Sequence, residues 1–196
     1  INGRHRKLMR SAMAVAKEVG TIISLDGGAQ RYDEDMKPIT EASHIVIVAR
    51  DYAEKYTGTT NLEDACRIIH ERGAFIAGVT DGANGSYFVW PDGTSYRCEP
   101  FSQATVVDTT GAGDSFHGAF LYMLTKTLCK IADGTNTSTM NETSQSLNAI
   151  DLLHSCAHED LEKAATFASA VAALNTQGIG GRSPLPSLED IKALIG

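Results

Sequence analysis

Apolar residues at Leu8, Met9, Ala12, Val15, Ala16 and Val19 recur at helical spacing, Gly20 stops the pattern, and a compact apolar run, Thr21–Leu25, comes at once after it. This unit, a helix feeding a short buried strand, returns along the first half of the chain. The spacing predicts a strand at His44–Val48, helices over Asp51–Tyr56 and Leu62–Glu71, and a strand at Ala74–Thr80. Strands that alternate with helices are joined by crossovers, which set them parallel in one sheet and place the helices against its faces. From Gly85 the period changes to two. Ser86–Trp90 and Thr94–Cys98 flank Pro91-Asp92-Gly93, a turn signal that predicts a β-hairpin and hence an antiparallel edge.

The second half is more helical. Long Ala- and Leu-rich helices are expected from about Ser115 to Lys130 and from about Glu159 to Leu174, and a short last helix from Leu188, capped by Ser187 with Asp190 three residues on. Between the long helices, Gly134–Ser146 is full of Asn, Thr and Ser, so residues 132–158 read as a surface insertion. The fold class expected is α/β, doubly wound, with a mostly parallel sheet and helices on both faces.

Composition narrows the function. A formal charge of −7 argues against nucleic acid, since a phosphate-tracking protein presents a basic face. No apolar run approaches the roughly 18 residues that span a bilayer, so no membrane partner is expected. Cys66, Cys98, Cys129 and Cys156 are scattered without a Cys-x-x-Cys pair, which points away from a zinc cage or disulfide framework and towards a reducing, cytoplasmic setting. The sequence opens at Ile1, directly in a helical pattern, and reads as a piece of something longer.

The segment that carries chemistry is Val106-Val-Asp108-Thr-Thr-Gly111-Ala-Gly113-Asp114-Ser-Phe-His-Gly-Ala-Phe120. Two apolar residues lead into a Gly-rich turn that opens an apolar helix. Glycines let backbone approach a ligand closely, and the unpaired N–H groups of a helix's first turn favour an anion, a phosphate above all. Asp114 in that turn could accept a proton from a hydroxyl attacking phosphorus, which is general-base phosphoryl transfer. The residues alone equally allow a Gly-rich turn with an Asp as helix cap.

Asp108-Thr-Thr-Gly-Ala-Gly-Asp114 resembles the DTxGAGD signature of PfkB-type, ribokinase-like carbohydrate kinases. The resemblance implies that Asp114 is the base, that the backbone of Gly111, Ala112 and Gly113 is the anion hole for the γ-phosphate, and that Asp108 and Thr110 help to hold a monovalent cation such as K+. Thr80-Asp-Gly82-Ala-Asn-Gly85 is similar to the family's turn against the ATP phosphates. Phe167–Leu174, then Gly180-Gly181 and Pro186, resemble the last long helix and loop around adenine, with Ser169, Asn175 and Gly180 as candidate nucleotide contacts. Ser24-Leu-Asp26-Gly-Gly-Ala-Gln-Arg31 is similar to the family's strand-end Asp followed by an Arg, although such an Asp often caps a turn. The resemblance spans essentially the whole chain.

Membership of that family would make the chain part of an ATP- and Mg2+-dependent kinase for a small sugar or sugar-like substrate. A nucleoside kinase, or a nucleotide-binding fragment without turnover, are the alternatives. The family's N-terminal portion, with its β-lid and sugar-gripping residues, is absent from this sequence, and a homodimer is expected only if the lid exists in the full-length protein. The family's N-x-x-E motif is replaced by Ala49-Arg50-Asp51-Tyr52-Ala53-Glu54, a stretch that with Pro91-Asp-Gly93 leans towards ketohexokinase-like members; Asp51 or Glu54 could partly replace its carboxylate. His154-x-Cys156-x-His158 has helical metal-site spacing but no evident third ligand, and His117 reads as a packed or surface His. No Walker A sequence occurs, and no G-x-G-x-x-G comes after the first strand, which removes P-loop and Rossmann-type readings.

Overall fold

The computed structural model describes residues 5–101, 105–137, 148–182 and 185–196. In chain order the strands are β1 (Ser24–Gly27), β2 (Ile45–Ala49), β3 (Ile76–Thr80), β4 (Ser86–Val89) and β5 (Ser95–Cys98). The helices are α1 (Arg6–Glu18), α2 (Lys37–Glu41), α3 (Arg50–Thr57), α4 (Leu62–Glu71), α5 (Ala112–Thr137), α6 (Ala149–His154), α7 (His158–Asn175) and α8 (Leu188–Ile195). The sheet runs β1-β2-β3-β4-β5, parallel through β3 and antiparallel from there to β5. Crossover helices make the first half parallel; the tight turns at Asp81–Gly85 and at Pro91-Asp92-Gly93 make β3–β4 and β4–β5 antiparallel, the second as the change of period predicts.

Strand β2, Ile-Val-Ile-Val-Ala, shows why the sheet is covered twice. Ile45 and Ile47 point to one face and join Ile76, Phe88, Phe116 and Phe120; Val46 and Val48 point to the other and join Leu25, Tyr52, Ala65 and Ile69. Both sets are buried, so the strand is apolar throughout instead of alternating. Helices α1 to α4 cover one face. The other is covered by α5 and α7, where Phe120 stacks on Phe88 at 5.5 Å and the small buried residues Ala164, Ala165 and Ala168 let the helices approach closely. Gly78 has no side chain because Phe88, its cross-strand partner, fills that volume.

Several elements differ from expectation for local reasons. Strand β1 sits later than Thr21–Leu25, since pairing continues through Asp26↔Ile47 and Gly27↔Val48 beyond the apolar run. Helix α2 has five residues with Pro38 in its first turn, too short for a periodic signal. The apolar pair Val106-Val107 that leads into the Gly-rich turn is exposed, and the Val107 and Asp108 N–H groups donate to Thr176 O at 2.8 and 3.1 Å. Of the stretch 132–158, residues 138–147 lie outside the described ones, whereas α6 buries Leu153 completely in the core. Helix α6 ends at His154 and α7 begins at His158, so the two histidines do not share a helix. Instead His154 packs edge-on against Phe75 at 4.7 Å and His158 pairs with Asp92 at 2.9 Å.

Among the described residues no helix is long and apolar enough to cross a membrane, and no group of three His, Cys, Asp or Glu side chains could hold a metal. The four cysteines are free thiols.

Candidate active site

Helix α5 begins at Ala112, three residues before the expected start, which places Asp114 inside its first turn. The turn is made by Gly111. Its φ of +81° is left-handed, and a Cβ there would overlap Gly181, so this loop and the Gly180-Gly181 loop touch backbone to backbone. Asp108 locks the contact: one carboxylate oxygen accepts from Thr110 N–H and the other from Gly180 N–H, both at 2.9 Å. These hydrogen bonds, Thr110's first, hold the Asp108 carboxyl below the ordinary carboxylate range, so it stays charged.

Within the turn Ala112 N–H donates to Thr109 O at 3.2 Å and Ser115 N–H to Gly111 O at 2.8 Å. Gly113 and Asp114 N–H find no acceptor among the described residues, and a Cβ on Gly113 would meet nothing within 4 Å. Two adjacent N–H groups without an acceptor among the described residues, at the positive end of a 26-residue helix, are what an anion site would require. Of the expected anion-hole residues, Gly111 shapes the turn, Ala112 spends its N–H inside it, and Gly113 offers its own.

Strand β1 runs beside this turn. Ser24 and Asp26 lie on one face of β1, and His117 and Asp114 are one turn apart on α5. Ser24 Oγ and His117 Nε2 are 2.9 Å apart, and Asp26 meets the Asp114 carboxyl at hydrogen-bonding distance. Burial, then contact with Asp114, pushes the Asp26 carboxyl up from 3.8 to about 6, with Arg31 pulling the other way. Asp26 therefore does not cap a turn. Burial likewise pushes His117 down to about 4, and its Nδ1 is buried without a partner, so it is a neutral packed residue.

The Thr80–Gly85 turn closes the end of β3. Thr80 Oγ1 lies 3.4 Å from Val48 O; Asp81 N–H donates to Gly85 O at 2.9 Å, and a Cβ on Gly85 would overlap Cys98 O. The C-terminal ends of β1, β2 and β3 thus bring Asp26, Arg50 and the Gly82 turn to one edge, where open α/β sheets bind ligands. Arg50 bridges Glu54 at 2.8 Å and Asp81 at 2.9 Å, and Asp51 accepts from Gln30 N–H at 2.6 Å. The carboxylates that could have replaced N-x-x-E are therefore already engaged, and the described residues do not fit a protein cage for Mg2+. Ser169 Oγ reaches Glu99 O at 3.5 Å, and Asn175 is fully buried with both amide atoms unpartnered. The structure brings Asp108, Thr110, Gly111, Asp114 and Gly180 together; Asn175 lies inside the helix packing. Sequence reasoning missed the partnership of Asp26 with Asp114; the signal was a carboxylate ending a buried strand.

Residues 2–188 match the family described as pfkB family carbohydrate kinase. The chain is 23% identical over 200 residues to a 5-dehydro-2-deoxygluconokinase of Shouchella clausii, covering 97% of this chain and 52% of that protein. It is 27% identical over 190 residues to a bifunctional ribokinase/ribose-5-phosphate isomerase A of Fructilactobacillus sanfranciscensis, covering 94% and 29%. Its fold matches the Vibrio cholerae O395 fructokinase solved with fructose, ADP and a calcium ion, with a TM-score of 0.71 at 22% identity, over 97% of this chain and 56% of that one. An aminoimidazole riboside kinase from Salmonella enterica gives a TM-score of 0.68 at 20% identity, over 95% and 56%. The chain spans about half the length, or less, of the curated relatives it matches. None of these relatives supports the leaning towards ketohexokinase-like members.

Proposed function

The chain belongs to the pfkB family of carbohydrate kinases, and on that premise we propose that it carries the nucleotide-binding and catalytic part of an ATP-dependent sugar kinase. The observation that carries this reading is the first turn of α5, where the unpaired N–H groups of Gly113 and Asp114 adjoin the Asp114 carboxylate. An anion site and a proton acceptor within one turn are what phosphoryl transfer to an alcohol requires.

In this reading the acceptor hydroxyl enters beside Asp114. Its oxygen attacks the γ-phosphorus, its proton passes to the Asp114 carboxylate, the bond between the γ-phosphorus and the bridging oxygen breaks, and ADP leaves. Charge on the transferring group is met by the N–H groups at Gly113, in a turn held by the Gly111–Gly181 contact. The Thr80–Gly85 turn, with Gly82 and Gly85, lies along the phosphates, and Ser169 and the Gly180 loop border the adenine side; Asn175, fully buried, supports that side from within. Asp108, kept charged by its two N–H donors, and Thr110 would hold a monovalent cation such as K+, adding positive charge behind the anion hole. Mg2+ would ride on the nucleotide phosphates and their waters, as it commonly does.

The acceptor is a primary hydroxyl of a sugar or sugar-like molecule. Relatives named for cytidine and aminoimidazole riboside keep nucleosides as the second reading. The test is turnover by the full polypeptide across ketoses, aldoses and nucleosides, with and without Asp114→Asn. We expect one class of acceptor to be phosphorylated, a loss of kcat of about 10³-fold in the variant, and ATP affinity within about three-fold. ATP binding without turnover on any acceptor would instead favour a nucleotide-binding module, and unchanged turnover in the variant would remove Asp114 as the base.

A further inference from the structure

Two carboxyl groups from different elements meet at the reacting end of this site. Asp26 ends the buried strand β1 and Asp114 sits in the first turn of α5, and they approach to hydrogen-bonding distance. The approach is built in. One strand step back and one helical turn on, Ser24 Oγ and His117 Nε2 stand 2.9 Å apart, so β1 and α5 are joined side by side and the two carboxyls are held opposite each other. His117 is buried, and Gly27, the residue after Asp26, packs bare against Val48 and Tyr52, which fixes the strand end. Asp26 is partly buried and Asp114 exposed; two bare carboxylates in contact repel, and a proton shared between them relieves that repulsion.

We propose that Asp26 is a positioning residue for Asp114, the two carboxyl groups acting as one acid–base pair that shares a proton when no acceptor is bound. The inference rests on the kinase reading and adds a second residue to its chemistry. With the proton lost, the negative charge of Asp26 repels that of Asp114 across the contact and turns the free Asp114 oxygen towards the acceptor. During transfer the new O–P bond forms and the bond to ADP's bridging oxygen breaks, while the acceptor's proton arrives on Asp114 and is shared with Asp26. No other reactant is needed. Among the described residues, the titratable and charged groups facing Asp26 are Asp114 and His117 from α5, Arg31 from the loop after β1, and His5 at the start of α1; α1 otherwise presents apolar side chains, Met9 and Met13 among them. Burial keeps His117 neutral, and burial first, then the contact with Asp114, holds the Asp26 carboxyl near 6.

The test is the pH dependence of kcat/KM in the full polypeptide for the wild type, Asp26→Asn and Asp26→Glu. Without the neighbouring carboxyl no proton is shared, and the acid limb becomes that of a single group in place of a coupled pair. We expect Asp26→Asn to lower kcat about 10- to 100-fold, to move the acid limb down by about one pH unit, to leave ATP affinity within about two-fold, and to be partly rescued in Asp26→Glu. An acid limb that stays in place, with or without a fall in kcat, overturns the proposal, because a merely structural residue would lower the plateau alone. Should the wild type turn over no acceptor, the kinase reading fails and the pair is judged by carbon-13 titration of its two carboxyls. The same titration of the wild type decides if Asp26→Asn does not fold. Two coupled, separated steps support the pair; independent single steps overturn it.

Discussion

The two glycine turns at the sheet's C-terminal edge use the same backbone device with opposite electrostatics. In the Thr80–Gly85 turn the carboxylate of Asp81 is engaged by Arg50 at 2.9 Å and Asn84 at 3.0 Å. In the Gly111–Asp114 turn the carboxylate of Asp114 faces Asp26, a second acid. Each turn has a glycine at positive φ pressed against another backbone, Gly85 on Cys98 and Gly111 on Gly181. An Asp tied to a guanidinium has an oxygen committed to it; one that faces another carboxyl has no cation holding it there. In the proposed reading, backbone geometry suits both turns to lie against phosphate, while the neighbouring charges leave only the Asp114 carboxylate to act as a base.

The sharpest way to break this comparison is to neutralise the two acids in parallel. Asp114→Asn is expected to lower kcat about 10³-fold and Asp81→Asn less than about tenfold, measured as steady-state turnover at saturating ATP; equal losses would mean that the turns do not differ in chemistry. Next in size is Gly111→Ala, which combines a left-handed residue with overlap on Gly181. About 2–4 kcal/mol of stability should be lost in denaturant unfolding, because backbone cannot move aside as a flexible side chain can. A loss below about 1 kcal/mol would show that the two loops can part.

The smallest effect concerns stability against pH. Asp26 has its carboxyl raised from 3.8 to about 6 in the fold, so the fold prefers its protonated form. That preference is fully present below the unfolded value and is lost as pH rises through about 6. Asp26→Asn, which keeps the shape and carries no charge, should be more stable than the wild type by about 1–2 kcal/mol at pH 7.5 and nearly equal to it at low pH, read from unfolding midpoints at several pH values. A gain that does not grow with pH would mean that Asp26 bears no electrostatic cost.

Much of the fold was legible because it rests on local signals. Helix α4 occupies the expected Leu62–Glu71, with Asn61 accepting from Glu63 and Asp64 N–H, and Ser187 with Asp190 forms the expected capping box. What escaped was short or non-local. Helix α2 has too few residues for a period, and α6 comes after a polar stretch although Leu153 is core. In the site, Gly111, Gly113 and Asp114 were readable as an anion turn with an acid, since neighbours in sequence make that turn. That Asn175, a candidate nucleotide contact, is fully buried was not legible, because a polar residue on an Ala-rich helix carries no mark of which side faces solvent.

The sequence by itself determined the alternation of strand and helix, the change to a hairpin at Gly85, and the Gly-rich turn with its acid, because periodicity, glycine and helix-end N–H groups act over a few residues. Tertiary structure alone decided which charges meet. Asp26 and Asp114 are far apart in the chain and become neighbours only when β1 and α5 pack, as do Arg50 with Asp81 and Gly111 with Gly181. Charge interactions depend on distance through space and on burial, and neither is written in the spacing of residues along the chain.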